Sequence, residues 1–313
     1  MVQIVISLLN GAIYGLLLFM VSAGLTLIFG MMGVLNFAHA SFYMLGAYFA
    51  YTFQPIVGFG FALLLSPLLV GLVGVVIERF FLRRVHHHGH AHELLLTFGL
   101  SFIIAELIKL FYGNFPVNYR VPNALDFSAF TIGGANYPVY RILMGAIAIA
   151  MFVLIYLMLT RTRVGIVVRS AIYRPRMAEA LGHNVPLVFM GVFGVGAALA
   201  GLAGAVAGAF YTTNPNMALE LGVMVFVVVV VGGLGSLGGA MLASLLIGMI
   251  TSLAVSIDAS IADLLAPLGG REWAESIGGL LTLKLSSLSA TIPFALMLLI
   301  LLVRPHGLLG EKT

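Results

Sequence analysis

Residues 3–29 read QIVISLLNGAIYGLLLFMVSAGLTLIF and contain no charged side chain. An apolar stretch longer than about 18 residues is typical of a transmembrane helix. The hydrocarbon core of a bilayer offers no partner to backbone amides, so the segment must be helical there. No basic region precedes it, and it is longer than the apolar part of a signal peptide. We therefore expect it to be retained as a first membrane helix.

The rest of the chain is also strongly hydrophobic. Of its 313 residues, 61% are hydrophobic and 8% are charged, whereas soluble domains carry about a quarter charged residues. Eight further apolar stretches follow the first, at 36–54, 60–78, 93–113, 139–160, 185–211, 219–233, 239–257 and 290–303. The sequence predicts an all-α fold, a single polytopic bundle of transmembrane helices over residues 1–313. The number of spans is eight or nine, because 36–54 could cross the membrane or re-enter it.

The basic residues assign a side to each connection. They concentrate at 79–84, at 161–176 and in the tail at 304–312, which the positive-inside rule places in the cytoplasm. Two apolar stretches lie between the first and second of these segments, and four lie between the second and third. An even number of crossings returns the chain to the same side, so all three segments can be cytoplasmic. The loops 114–138 and 258–289 are then external, and the second holds acidic residues: Asp258, Asp263, Glu272 and Glu275. Nine spans would put the N-terminus outside, and eight would put it inside.

The cytoplasmic segment 161–184 reads RTRVGIVVRSAIYRPRMAEALGHN. It is basic and mildly amphipathic, and Pro175 can begin a short helix that Gly182 ends. An element of this kind suits docking to a partner protein. Alternatively, it is a topology anchor that rests on anionic headgroups. An anchor, however, does not need the spacing Gly-x3-Arg-x-Ala followed by Ala-x3-Gly.

Two groups of residues are candidates for a solute path. The first is a glycine-rich break whose backbone amides could face a polar solute, or which is simply a turn between packed helices: Gly232, Gly233, Gly235 and Ser236. The second is polar or ionisable at membrane depth, where such groups are costly and usually face a cavity: Asn36, His39 and Glu106. Glu106 can also pair with Lys109 three residues on, as a structural ion pair.

Several chemistries are not expected. A histidine cluster at 86–92 could bind a transition metal, but we favour a polar linker. The glycine loop lacks the Lys-Ser/Thr of a phosphate loop, and no Gly-x-Ser-x-Gly or His-Glu-x-x-His motif occurs. We expect no catalytic residues, no cofactor or metal bound by this chain, and no nucleic-acid partner. An intramembrane enzyme is the least favoured of the functions considered.

Three regions together resemble the permeases of branched-chain amino acid ABC importers, and among these the LivH-type subunit. They are residues 9–15 continuing through 24–30 to Asn36-Phe37-Ala38-His39, the spacing within 165–182, and the glycine loop 232–240. The resemblance covers nearly the whole chain in order. Its one visible departure is Ala40, where the family usually has glycine. The loops 114–138 and 258–289 carry no familiar motif.

This resemblance implies partners and a mechanism. A homologous LivM-type permease would complete the pore in a bacterial inner membrane. Two cytoplasmic ATPase subunits, which bind ATP and Mg, would drive alternating access, and a periplasmic binding protein would deliver the solute. The residues implied in coupling to the ATPases are Gly165, Arg169, Ala171, Ala178 and Gly182.

The solute could be a branched-chain amino acid or, as in related importers, urea, a short amide, or an aromatic or dicarboxylic acid. The alternative function is a self-sufficient secondary transporter or channel, whose coupling groups would have to be Glu106 and His39.

Overall fold

A computed structural model describes residues 2–132, 134–256, 260, 262–263, 269–279, 282–284 and 286–310. Asp258 and Lys312, used above to assign sides, lie outside the described residues. The helices are α1 (Val2–Met32), α2 (His39–Val57), α3 (Phe59–Ile77), α4 (Arg83–Val85), α5 (His90–Tyr112), α6 (Val139–Arg161), α7 (Arg163–Tyr173), α8 (Pro175–Ala180), α9 (Val185–Gly208), α10 (Met217–Gly232), α11 (Leu237–Ser256), α12 (Arg271–Ile277) and α13 (Ile292–Val303). A π-helical turn (Glu78–Leu82) joins α3 to α4, and a 3₁₀ turn (His86–His88) follows α4.

The structure bears out a polytopic helical membrane protein. Six helical segments of the described chain are long and apolar enough to cross a membrane: Val2–Met32, Phe59–His88, His90–Tyr112, Val139–Arg161, Val185–Gly208 and Leu237–Ser256. The helices α10 and α13 are apolar but shorter. The total of eight or nine spans therefore stays a prediction.

The segment 36–54 forms most of one continuous helix, α2, of 19 residues. At a rise of 1.5 Å per residue such a helix extends about 28 Å, close to the thickness of the hydrocarbon core. Its first ten residues are all buried, because α1, α3, α9 and α10 surround it. The polar side chains of this segment thus face protein rather than lipid.

The centre of the bundle is formed by α1, α2, α9, α10 and α11, with α3 packed on α2 and α9. Small residues allow the closest approaches. Gly24 of α1 lies against Gly196 of α9, and Gly15 of α1 lies against Ser244 of α11. Close backbone contact of this kind is how helices associate where lipid supplies no hydrophobic driving force.

Contacts between helix ends agree with the predicted alternation of sides. At one end, Gly30 lies against Gly235, and Leu308 donates its backbone N–H to Val231. At the other end, Val117 pairs with Thr213, and Gln3 near the N-terminus donates to the Ser256 carbonyl, 3.4 Å away. The N-terminus therefore lies at the same end of the bundle as Ser256, close to where the predicted external loop 258–289 begins.

The loop 114–138 departs from a purely helical fold. It contains a two-stranded antiparallel sheet of β1 (Ser128–Ile132) and β2 (Ala135–Pro138). Tyr119 in the same loop donates its hydroxyl to the Ala205 carbonyl, 2.8 Å away, and burial raises the pKa of its phenol above the ordinary value. This hydrogen bond holds the loop 114–138 on the end of α9.

Candidate functional site

The predicted coupling segment forms two short helices, α7 and α8, joined at Arg174. Thr162 caps α7 by accepting the Gly165 N–H at 3.2 Å. A Cβ atom at Gly165 would overlap the carbonyl oxygen of Leu159, so the turn from α6 into α7 requires glycine. Gly182 has φ +86° and ends the segment after α8, a backbone conformation that favours glycine.

The five residues implied in coupling do not share one surface. Ala171 and Ala178 are buried and pack with Val185 at the start of α9. Arg169 is exposed, and its Nε donates to the Gly165 carbonyl at 3.3 Å. The two alanines thus fix the segment on the bundle, while the arginine stays available to a partner.

The outer surface of this segment is both basic and apolar. Arginines at 163, 169, 174 and 176 are exposed, as are several large apolar side chains: Val164, Ile166, Met177 and Leu181. Leu181 is 77% exposed. Exposed apolar side chains next to arginines suit both a protein partner and the surface of the membrane, so the two alternatives predicted for this segment stay open.

A cavity of about 260 Å³ lies where α2 begins, between α5 and α10. Its polar lining includes two of the predicted path residues, Asn36 and His39. Its walls are mostly apolar and aromatic: Phe37, Phe98, Phe102, Val223 and Phe226. Phe37 stacks on Phe226 with ring centroids 6.4 Å apart and meets Phe98 edge-on. A mostly apolar pocket with a few polar groups is the usual form of a small-molecule site.

Asn36 and His39 are fixed on one side and unpaired on the other. Asn36 Oδ1 accepts the Ala38 N–H at 3.0 Å, and His39 Nε2 lies 2.9 Å from the Val21 carbonyl oxygen. Within the described part of the chain, Asn36 Nδ2 and His39 Nδ1 have no hydrogen-bond partner. Buried polar atoms are normally paired, so each unpaired one calls for an explanation.

Glu106 does not join this cavity. It lies on α5, where Lys109 donates to it at 2.7 Å, so the predicted ion pair is present. Its side chain is 68% exposed, and it is absent from the lining of the cavity. The pair is therefore not buried. Glu106 does not supply this cavity with the ion-coupling group that a self-sufficient transporter would need.

The glycine-rich break is also remote from the cavity lining. Gly233 and Gly235 have φ of +100° and +83°, and Ser236 caps α11 by accepting the Gly239 N–H at 3.1 Å. The C-terminal segment covers the break, since Leu309 donates to the Gly232 carbonyl at 3.1 Å. The contacts are those of a tightly packed turn between two helices.

The histidine cluster surrounds a buried carboxylate that the sequence did not reveal. Glu93 is 2% exposed, and both His86 Nδ1 and His90 Nδ1 contact its two oxygens. Among the described residues, no group of three or more His, Cys, Asp or Glu side chains has the arrangement of a metal site. Two histidines of the cluster, His86 and His90, thus hydrogen-bond this carboxylate at the bend between α4 and α5.

A second buried carboxylate, that of Glu78, precedes the histidine cluster in the chain. Glu78 in the π-helical turn forms a two-pronged ion pair with Arg83, which also donates to the Pro186 carbonyl at 2.9 Å. This pair ties the end of α3 to the start of α9, next to the coupling segment. The sequence showed an acidic residue five positions before an arginine, but only the packing shows that the Glu78 carboxylate is buried.

Comparison with known proteins gives consistent matches over nearly the whole chain. A family model described as branched-chain amino acid transport system / permease component matches residues 7–301. The high-affinity branched-chain amino acid transport system permease protein BraD of Pseudomonas aeruginosa is 26% identical, covering 97% of this chain and 95% of that protein. The permease protein LivH of Escherichia coli is 27% identical, covering 96% and 94%.

A probable LivH of Methanocaldococcus jannaschii is 28% identical, covering 79% of this chain and 80% of that protein. Among solved structures, PsaBC from Streptococcus pneumoniae in complex with Fab aligns with a TM-score of 0.46 at 12% identity, covering 95% of this chain and 91% of that chain. That structural similarity is too low to establish a common fold.

Proposed function

Since this chain belongs to the family of branched-chain amino acid transport system permeases, we propose that it forms one half of the membrane pore of an ATP-driven importer. Its relatives are transport components, and this chain is likewise a permease subunit. The imported solute is a branched-chain or similar hydrophobic amino acid, the class named for those relatives.

The observation that carries this proposal is the surface of the segment 161–184. It is held to the bundle from inside by Ala171 and Ala178 and presents exposed arginines and apolar side chains outward. Such a surface can receive force from a soluble partner and pass it to α9, on which it is docked. We propose that the partner is a pair of cytoplasmic ATPases, which bind ATP and Mg themselves.

Two further partners complete the assembly. A homologous LivM-type permease supplies the second half of the pore, and a periplasmic binding protein delivers the solute to the loops at 114–138 and 258–289. The assembly resides in a bacterial inner membrane. Transport proceeds by alternating access, and close glycine contacts such as those of Gly24 with Gly196 let helices shift past each other at small steric cost.

A charge reversal on the exposed arginine tests this assignment. Arg169→Glu is assayed for ATP-dependent uptake of radiolabelled leucine in cells that express the chain with its partner subunits. The charge-matched control is Arg304→Glu, which changes an exposed arginine after α13, outside the segment 161–184.

We expect Arg169→Glu to abolish uptake at an unchanged level of protein in the membrane, and Arg304→Glu to retain it. Normal uptake by Arg169→Glu would contradict the coupling role. Uptake by the chain without any ATPase would contradict the importer itself and favour a self-sufficient transporter.

A further inference from the structure

The helix α5 stands apart from most of the bundle. Among the long helices of the described structure it packs on α2 alone, whereas α10 packs on α1, α2, α11 and α13. The cavity of about 260 Å³ occupies the gap that α5 and α10 leave between them. Three side chains of its walls are about half exposed: Phe102 at 46%, Leu219 at 58% and Val223 at 53%. The cavity is therefore a cleft, the α5–α10 cleft, which opens sideways through the surface at membrane depth.

Small residues recur at helical spacing on both walls of the α5–α10 cleft. Ser101 and Ala105 line it from α5, and Ala218 and Gly222 line it from α10. The two residues of each pair are four positions apart, and membrane helices approach each other closely at such pairs. Elsewhere in the bundle, close glycine contacts join helices of this chain. The described helices leave the space between these two walls open.

A charged residue distinguishes α5 from the other apolar helices. No Asp, Glu, Lys or Arg lies between the first and last turns of α1, α2, α3, α6, α9, α10, α11 and α13. Glu106 lies six residues before the last residue of α5, about 9 Å from that end of the helix. Its side chain is 68% exposed although Lys109 pairs with it. A charged group that faces lipid at this depth is costly, so the outward face of α5 suits contact with protein better than contact with lipid.

The charges beside the cleft define what a partner surface must carry. They lie near its outer end, where α5 ends and α10 begins. Glu220 in the first turn of α10 is exposed and forms no ion pair within the described part of the chain. The residues just before the two glutamates, Ala105 and Leu219, both line the cleft. Since Lys109 balances only Glu106, the remaining negative charge favours a Lys or Arg on the surface that meets it.

We propose that the α5–α10 cleft receives a transmembrane helix of the second, homologous permease, and that this face joins the two halves of the pore. The incoming helix fills the space between the two walls with apolar side chains and places a Lys or Arg opposite Glu220. This inference rests on the proposed function, which requires a second permease, and adds which face of this chain meets it. The boundary between the subunits then runs past the start of α2, which borders the same cleft.

The test is site-specific photo-cross-linking in membranes that contain the chain with its homologous permease, both ATPases and the binding protein. The photoreactive p-benzoylphenylalanine replaces Phe102 on one wall of the cleft or Val223 on the other. In the matched controls it replaces Leu64 of α3 or Val153 of α6, which are 64% and 45% exposed on other helices. We expect both cleft positions to give adducts with the homologous permease at a yield at least tenfold above that of the controls.

Three results would overturn the proposal: adducts of the cleft positions with lipid only, adducts with a second copy of this chain, or equal yields from all four positions. ATP-dependent leucine uptake by membranes with the wild-type chain is measured in parallel. Normal uptake without a permease adduct from the cleft contradicts only the interface. Absence of uptake contradicts the proposed function.

Co-purification of the two permeases in detergent tests the charge and the shape of the cleft. Glu220→Arg reverses the unbalanced charge, and Ala105→Trp fills the cleft from α5. We expect each variant to reduce the amount of homologous permease that co-purifies with the tagged chain at least tenfold. The controls are Glu179→Arg, at an exposed glutamate of α8, and Leu64→Trp, and both should retain the partner. If Glu220→Arg and Ala105→Trp melt like the wild type and still retain the partner, the helix of the second permease does not lie in this cleft.

Discussion

The backbone of Gly46 in α2 lies directly on the backbone of Gly201 in α9, so that a Cβ atom on Gly46 would overlap the Gly201 carbonyl oxygen. This contact sets the distance between α2, which begins at His39, and α9, on which the predicted coupling segment is docked. Because neither backbone can yield without moving a whole helix, the contact links the cavity mechanically to the segment 161–184.

Gly46→Ala is therefore expected to destabilise the bundle by about 1–3 kcal/mol or more, the usual cost of overpacking. The measurement is the thermal denaturation of the detergent-purified protein. Gly99→Ala in α5 is the matched control, since a Cβ there meets nothing within 4 Å. Equal melting temperatures for the two variants would contradict the close packing of α2 on α9.

Gly165→Ala is expected to lower ATP-dependent leucine uptake at least tenfold while the protein remains in the membrane. The added methyl group would push α7 away from the end of α6, where it overlaps the Leu159 carbonyl oxygen, and so displace the surface that carries Arg169. Gly191→Ala in α9 serves as the control, because a Cβ there has open space. Full uptake by Gly165→Ala would mean that the position of α7 does not matter for coupling.

Arg83→Met is expected to destabilise the protein by about 1–3 kcal/mol, since it leaves the carboxylate of Glu78 buried without its counter-ion; the Arg83 side chain is 38% exposed, so the loss is smaller than for a fully buried pair. The Glu78 side chain is 3% exposed. The double variant Glu78→Leu/Arg83→Met removes both charges and should recover much of the loss. Arg84→Met, at an exposed neighbour, is expected to change stability little. Chemical denaturation of the four proteins measures these differences, and a double variant as unstable as Arg83→Met would argue against a buried pair.

The double variant His86→Leu/His90→Leu is expected to lower the melting temperature, because both contacts of the buried Glu93 carboxylate are lost together. His87→Leu/His88→Leu changes two histidines of the same cluster that are exposed. Its melting temperature should match that of the wild type. If both double variants melt alike, the cluster serves only as a polar linker.

Much of the architecture could be predicted from the sequence, because a chain segment within lipid must pair its own backbone amides and therefore forms a helix. Apolar stretches such as 3–29 had to become helices, and α1 (Val2–Met32) and α6 (Val139–Arg161) lie where the sequence placed them. The family resemblance was confirmed as well. The β1–β2 hairpin was missed, since the loop 114–138 carries no strong alternation and its strands are short.

The candidate path residues were separated only by the tertiary structure. The sequence identified polar or flexible positions at membrane depth but could not rank them as parts of a solute path: Asn36, His39, Glu106 and the glycine break. Packing puts Asn36 and His39 in one cavity, leaves Glu106 exposed beside Lys109, and covers the break with the C-terminal segment. The placement of Asn36, His39 and the glycine break depends on residues distant in sequence, such as Phe98, Val21 and Leu309, which local patterns do not report.

The sequence by itself determined that this chain is a polytopic membrane permease and which segments are helical, and it predicts which connections share a side of the membrane. Those properties follow from hydropathy and charge, which act residue by residue against the bilayer. The tertiary structure decided which side of each helix meets protein, and therefore which buried polar atoms remain unpaired. For Asn36 and His39 that distinction rests on the contacts of α2 with α1 and α5, because a free donor and a free acceptor can be recognised only once every competing partner has been placed.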